Sequence, residues 1–125
     1  MIIGIGTDII EIERVRRAVA GEHFKDKVFT TKEQNYCESR GAQSAASYAA
    51  RFAAKEAFFK SLGTGIFTSL TEVEILNDEL GKPQIFLYGK AKTFFEKLRG
   101  EKIFVSLSHC KDYATAFVII GDGSA

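Results

Sequence analysis

The sequence predicts an α+β fold, with helices packed on a mainly antiparallel sheet. The elements read from residue patterns run in the order βαααββαββ. In the second half, two pairs of neighbouring β segments are joined by short turn-rich connections, as hairpins are. A chain of 125 residues with 46% hydrophobic and 12% aromatic content and a single proline fits one globular domain, residues 1–125, large enough to bury a core.

Residues 2–10, IIGIGTDII, are β-branched and punctuated by glycine, which suits a buried strand whose glycines admit the close approach of another backbone. Asp8 stands near its end. IERVRRAVA, residues 12–20, sets Ile12, Val15 and Val19 at helical spacing, leaves Arg14 and Arg17 on a neighbouring stripe, and meets a stop at Gly21. Thr30 with Glu33, and Thr31 with Gln34, both satisfy the capping-box spacing, so a helix is expected from there to about residue 40. Residues 44–62 are alanine-rich, carry Tyr48, Phe52 and Phe59, and end at Gly63; this is the longest helix. From Leu70 the period changes: LTEVEILN alternates, NDELGK supplies turn residues and PQIFLYG alternates again, a hairpin with a loop longer than two residues. Pro83 opens the second strand, where a missing N–H costs little. Residues 90–98 form a helix closed by Gly100, and KIFVSLSH and YATAFVII are two further strands around HCKD.

Charge excludes some partners. With 17 basic and 16 acidic residues there is no global field to attract nucleic acid, so a charged partner must meet a local patch. Cys37 and Cys110 match neither a disulfide scaffold nor a zinc spacing and read as reduced thiols. The opening MIIGIGTDIIEIERV lacks a basic n-region and carries Asp8 and Glu11 inside the apolar stretch. No stretch approaches a membrane span. A soluble cytoplasmic protein is expected.

Three places put costly residues in apolar surroundings. In RFAAKEAFFK, residues 51–60, helical steps bring Phe52, Glu56 and Phe59 within a narrow arc with Lys60 beside them. Glu followed four residues later by Lys also suits a solvated surface pair, worth about 0.2–0.5 kcal/mol. Asp8 interrupts a run of isoleucines, where it could equally cap a following helix or turn. Two carboxylates from separate segments are what a Mg²⁺ ion that keeps several waters and bridges substrate phosphates requires. In VSLSHCKDYA, residues 105–114, His109 ends a strand after two hydroxyl residues. It could be a satisfied loop histidine, or with Ser108 and Lys111 a donor to a phosphate. A hydrolase built on Ser106 or Ser108, His109 and Asp8 or Asp112 has no nucleophile-elbow glycine pattern to support it. LGTG after the long helix and LGKP at residues 80–83 are small-residue loops that match no P-loop.

Taken together, GTDIIEI, RFAAKEAFFKSLGTG, GKP before a strand and SLSH near the end resemble the bacterial holo-acyl-carrier-protein synthases, the small 4′-phosphopantetheinyl transferases, in order and along nearly the whole chain. The resemblance implies the fold of that family and a homotrimer with each site between two subunits. It also implies Mg²⁺-dependent transfer of 4′-phosphopantetheine from coenzyme A to a serine of apo acyl carrier protein, with release of adenosine 3′,5′-bisphosphate, in fatty acid biosynthesis. Position by position, Asp8 and Glu56 look like the carboxylates that hold Mg²⁺, and Lys60 like the lysine on the transferring phosphate. Arg51, Lys55, Gly63, Lys82, Pro83, Ser108 and His109 fall where the family lines its coenzyme A site, and His109 would serve a neighbour's Asp8 and Glu56. Glu56 is the candidate base for the serine hydroxyl. Arg14 and Arg17 would meet the acidic carrier protein, although an ordinary solvated face with Glu11 and Glu13 is the plainer reading of that stripe. Residues 21–45 carry no motif that matches. Two rivals use the same residues: a Mg²⁺-dependent hydrolase of a nucleotide pyrophosphate, with water in place of serine, and a noncatalytic nucleotide- or partner-binding module in which Glu56 and Lys60 are a structural pair.

Overall fold

The long alanine-rich helix organises the molecule. In the computed structural model, which describes residues 1–124, α4 (Ser44–Ser61) is buried on nearly every side, so it lacks the single apolar stripe of a surface helix. Ala49, Ala53, Ala54 and Ala57 are wholly buried, and their small side chains let neighbouring elements come close. Its last turn is closed by Gly63 at φ +80, with Gly63 N–H donating to the Lys60 carbonyl and Thr64 N–H to the Phe59 carbonyl. That pattern needs the left-handed residue a glycine supplies.

β1 (Ile2–Glu11) pairs antiparallel with β5 (Tyr113–Gly121), which pairs antiparallel with β4 (Lys102–His109), giving the order β1-β5-β4. β2 (Val73–Asn77) and β3 (Pro83–Leu87) form a separate antiparallel pair, with Pro83 opposite Asn77 at the turn end. Its turn is tied by the Asp78 carboxylate, which accepts from the N–H groups of Leu80 and Lys82. The helices α1 (Ile12–Val19), α3 (Thr31–Glu38) and α5 (Gly89–Lys97) lie where residue spacing puts them. Of the two capping boxes legible in the sequence, the chain uses Thr30 with Glu33.

Two elements differ from expectation. Residues 22–28 form a helix, α2 (Glu22–Val28), that no sequence period announces. Seven residues are too few to show a period, and α2 has no side-chain cap; it is held by tertiary contacts of Val28 and of Phe24, whose ring meets Phe29 and Phe52. Residues 70–72, read as the start of a strand, are instead a 3₁₀ turn (Leu70–Glu72) begun by Ser69, whose hydroxyl accepts from Thr71 N–H.

Two apolar clusters flank α4, one around Phe58, Phe59, Val73, Ile75 and Val118, the other around Val15, Phe29, Cys37 and Tyr48; Ile10, Leu70 and Leu107 touch both. Gly4 and Gly6 on β1 pack directly against α4: a Cβ at Gly4 would lie 1.9 Å from the Ser61 carbonyl oxygen, and one at Gly6 1.9 Å from that of Ala57. The glycine punctuation of the first strand therefore does admit another backbone. Strand alternation turns Ile5, Ile9, Phe104 and Phe117 to the opposite face of the sheet, where they are 60, 63, 55 and 42% exposed. No helix among the described residues is long and apolar enough to cross a membrane.

Candidate active site

Asp8 lies two residues beyond Gly6 on the same face of β1, so the close packing of Gly6 on Ala57 carries its carboxylate to α4 just where Glu56 and Lys60 emerge. Lys60 Nζ stands 3.1 Å from Asp8 Oδ1 and donates to the Thr7 carbonyl at 3.0 Å. It therefore reaches across to β1 instead of closing the pair with Glu56 that i, i+4 spacing would allow. Asp8 is largely buried and Lys60 about half exposed, which puts the ammonium at the lip of the niche. Glu56 is partly buried in the same niche. Burial, then the negative charge of Asp8, hold its carboxyl above the usual carboxylate range, while Lys60 pulls it down. The part of that rise due to Asp8 marks two carboxylates near enough to repel one another.

The donor set suits Mg²⁺. It is all oxygen, it comes from two rigid elements, and it stops at two carboxylates: among the described residues no group of three or more His, Cys, Asp or Glu stands together. Mg²⁺ is commonly held by one or two carboxylates, with waters and substrate phosphates filling the remaining positions, and a divalent charge would relieve the repulsion between Asp8 and Glu56.

Lys55, expected to line a ligand surface, is placed elsewhere. It is wholly buried, and its ammonium is taken up by Glu33 Oε1 at 2.9 Å, the Leu70 carbonyl at 2.9 Å and the Val73 carbonyl at 2.6 Å. No donor is left for a ligand. Glu33 in turn accepts from the N–H groups of Thr30 and Ile75. Local spacing marks Glu33 only as a helix cap, because the residues it joins lie 22 and 42 positions away.

Arg51 is also buried, stacked on the Tyr36 ring at 4.3 Å and donating to Asn77 Oδ1 at 3.0 Å, but its Nε has no partner. It lines a cavity of about 350 Å³ with His109, Gly81, Tyr36 and Asn77. Tyr36 and Asn77 carried no signal in the sequence. Lys82 borders a different groove, between β3 and β4, and Gly63 stands in open space after α4. Ser108 and His109 are consecutive strand residues and so face opposite sides of the sheet. The chain thus brings Asp8, Glu56 and Lys60 together in one place, Arg51 and His109 in another, and the remaining residues in neither. On α1, Arg14 and Arg17 are exposed; Glu13 pairs with Arg16 at 2.8 Å and lies 3.9 Å from Arg17, while Arg14 has no acidic partner among the described residues.

Known proteins arrange the same elements alike. A holo-acyl-carrier-protein synthase of Ruminiclostridium cellulolyticum is 53% identical over 125 residues, covering 97% of this chain and 93% of its own. The crystal structure of the holo-acyl-carrier-protein synthase of Neisseria meningitidis superposes with a TM-score of 0.86 at 37% identity, over 97% of this chain and 99% of that one. That of Bacillus anthracis, solved in complex with CoA (3′,5′-ADP), gives 0.80 at 34% identity over 96% of each chain. The sequence model of the 4′-phosphopantetheinyl transferase superfamily matches residues 4–118, a span that takes in β1 with Asp8, all of α4, and β4 with His109. With fold, order of motifs and length in agreement from β1 to β5, the chain belongs to the 4′-phosphopantetheinyl transferase superfamily.

Proposed function

We propose that this protein transfers 4′-phosphopantetheine from coenzyme A to a serine hydroxyl of apo acyl carrier protein, releasing adenosine 3′,5′-bisphosphate. One observation carries the reading: two carboxylates from different elements share a niche whose lip is a half-exposed lysine. Phosphoryl transfer requires charge neutralisation and positioning more than covalent help. Mg²⁺, when bound by Asp8 and Glu56, supplies the neutralisation of the pyrophosphate oxygens.

The chain's own residues do the rest. Lys60 can swing from Asp8 to the phosphate being transferred, where an ammonium with three N–H donors meets the charge that develops on its oxygens. Glu56 is the base for the serine proton. The wholly buried Ala57, against which β1 packs beside Asp8, keeps the inner wall of the niche dry, which strengthens both interactions.

The separation of the expected coenzyme A residues supports a site shared between subunits of a homotrimer: His109 and Arg51 of one copy would face Asp8 and Glu56 of the next. The exposed apolar sheet face bearing Ile5, Ile9, Phe104 and Phe117 supports assembly, since exposed apolar side chains gathered on one face mark interaction surfaces. Arg14 and Arg17 are the surface offered to the acidic carrier protein, and the reaction is placed in the cytoplasm.

Mass spectrometry of apo carrier protein incubated with this protein, coenzyme A and Mg²⁺ tests the reading. A phosphopantetheine increment on the carrier is expected. Bisphosphate release without a carrier would instead make the protein a pyrophosphate hydrolase, and no turnover at all would make it a binding module.

A further inference from the structure

The wholly buried Lys55 precedes the proposed metal-holding Glu56 in the chain, and nothing in the chemistry above uses it. Burying an ammonium and a carboxylate is a poor route to stability, because well-packed apolar residues of the same volume commonly serve as well or better. What an ion pair with fixed acceptors supplies is a unique arrangement. Lys55 Nζ has three, at 2.6 to 2.9 Å: Glu33 from α3, the Leu70 carbonyl from the 3₁₀ turn and the Val73 carbonyl from β2. Glu33 is itself fixed by the N–H groups of Thr30 and Ile75. The socket therefore belongs to three elements other than α4, and the lysine plugs α4 into it.

We propose that Lys55 is a positioning residue for the transfer reaction: its plug fixes the rotation of α4 about its own axis, and with it the place where Glu56 and Lys60 meet Asp8. Successive helix residues are turned by about 100°, so a lysine pinned toward β2 leaves the next residue turned toward β1. A rotation of about 20° would carry a carboxylate on the helix rim by about 2 Å, given a helix radius with side chains of about 5–6 Å. The glycine contact on β1 sets how near α4 comes, while the Lys55 socket sets which way it faces. The same ammonium, through Leu70, also ties down the far end of the loop that leaves α4 at Gly63.

This inference rests on Asp8 and Glu56 holding the metal, and the test separates the two ideas. Lys55→Met is compared with Lys55→Met/Glu33→Gln, which leaves no lone charge in the socket, and with Glu56→Gln. Transfer to apo carrier protein is measured on the folded protein, and Mn²⁺ binding in the presence of coenzyme A is followed by electron paramagnetic resonance. The double variant is expected to lose about 10–100-fold in kcat and a similar factor in Mn²⁺ affinity, the usual effect of removing a residue that orients a metal ligand. Its KM for coenzyme A should stay within about twofold, since uniform binding is untouched. A double variant that melts earlier but keeps kcat and Mn²⁺ affinity overturns the proposal, as does a chain that folds only with the pair intact, because Lys55 then serves folding alone. If Glu56→Gln retains full Mn²⁺ affinity and transfer, the metal assignment itself fails, whatever Lys55 does.

Discussion

Replacing Gly6 with alanine would put a methyl carbon 1.9 Å from the Ala57 carbonyl oxygen, 2.8 Å from the Ser61 nitrogen and 2.9 Å from the Ala57 carbonyl carbon. All three are backbone atoms, so no side chain can turn aside. Reaching ordinary contact near 3.4 Å requires α4 and β1 to part by about 1.5 Å. Overpacking of a tight contact costs about 1–3 kcal/mol, and a clash with helix backbone belongs at the upper end. The catalytic loss should be larger, because Asp8 moves with β1 while Glu56 and Lys60 move with α4. A 1 Å error between reacting groups can cost about 100-fold, so kcat for phosphopantetheine transfer should fall by at least about that factor. Urea denaturation gives the first quantity, and the mass-spectrometric transfer assay on folded protein gives the second. Gly21→Ala is the control, since a Cβ there meets nothing nearer than 3.7 Å and should leave both within error. A Gly6→Ala protein with the wild-type midpoint and rate would refute the idea that glycine contact between β1 and α4 builds the site.

Other perturbations read different parts of the molecule. Glu56→Gln keeps the size of the side chain but removes a negative charge, and should lower kcat by about 100-fold or more while the protein stays folded; chelating divalent cations from the wild type should abolish transfer and be reversed by Mg²⁺. Charge reversal in Arg14→Glu/Arg17→Glu should weaken carrier-protein binding and flatten its dependence on salt, measured by titration at two ionic strengths. Arg99 sits at φ 65 after α5, and Arg99→Gly should raise stability by about 0.5 kcal/mol, the strain relieved outweighing the added chain entropy, as a shift of the urea midpoint shows. The Tyr48 hydroxyl, and then Lys25, hold the Glu38 carboxyl below the usual carboxylate range. A carboxylate depressed in the folded state adds stability above its unfolded value, near 4.5, and loses it as pH falls through the lower folded value. Acid titration of stability in Tyr48→Phe should show a smaller loss over that window than the wild type.

The acid pair and its lysine were legible because each breaks a local rule: Asp8 among isoleucines, Glu56 and Lys60 among phenylalanines. The family resemblance implied Lys55 at the coenzyme A site, and nothing local corrected it, since a lysine in a helix carries no mark of the socket that takes it in. Helix α2 escaped notice for a similar reason, being held by the rings of Phe24, Phe29 and Phe52 instead of by its own period or caps.

What the chain specified by itself was local. Alternation, capping boxes and glycine stops set nearly every strand and helix, and the order of its motifs pointed to the family. Only the tertiary structure decided which charges serve chemistry and which serve architecture, because that depends on what lies across the contact. Lys60 ends at an open lip beside Asp8, whereas Lys55, five residues earlier, ends against Glu33 and two carbonyls that the sequence holds far away.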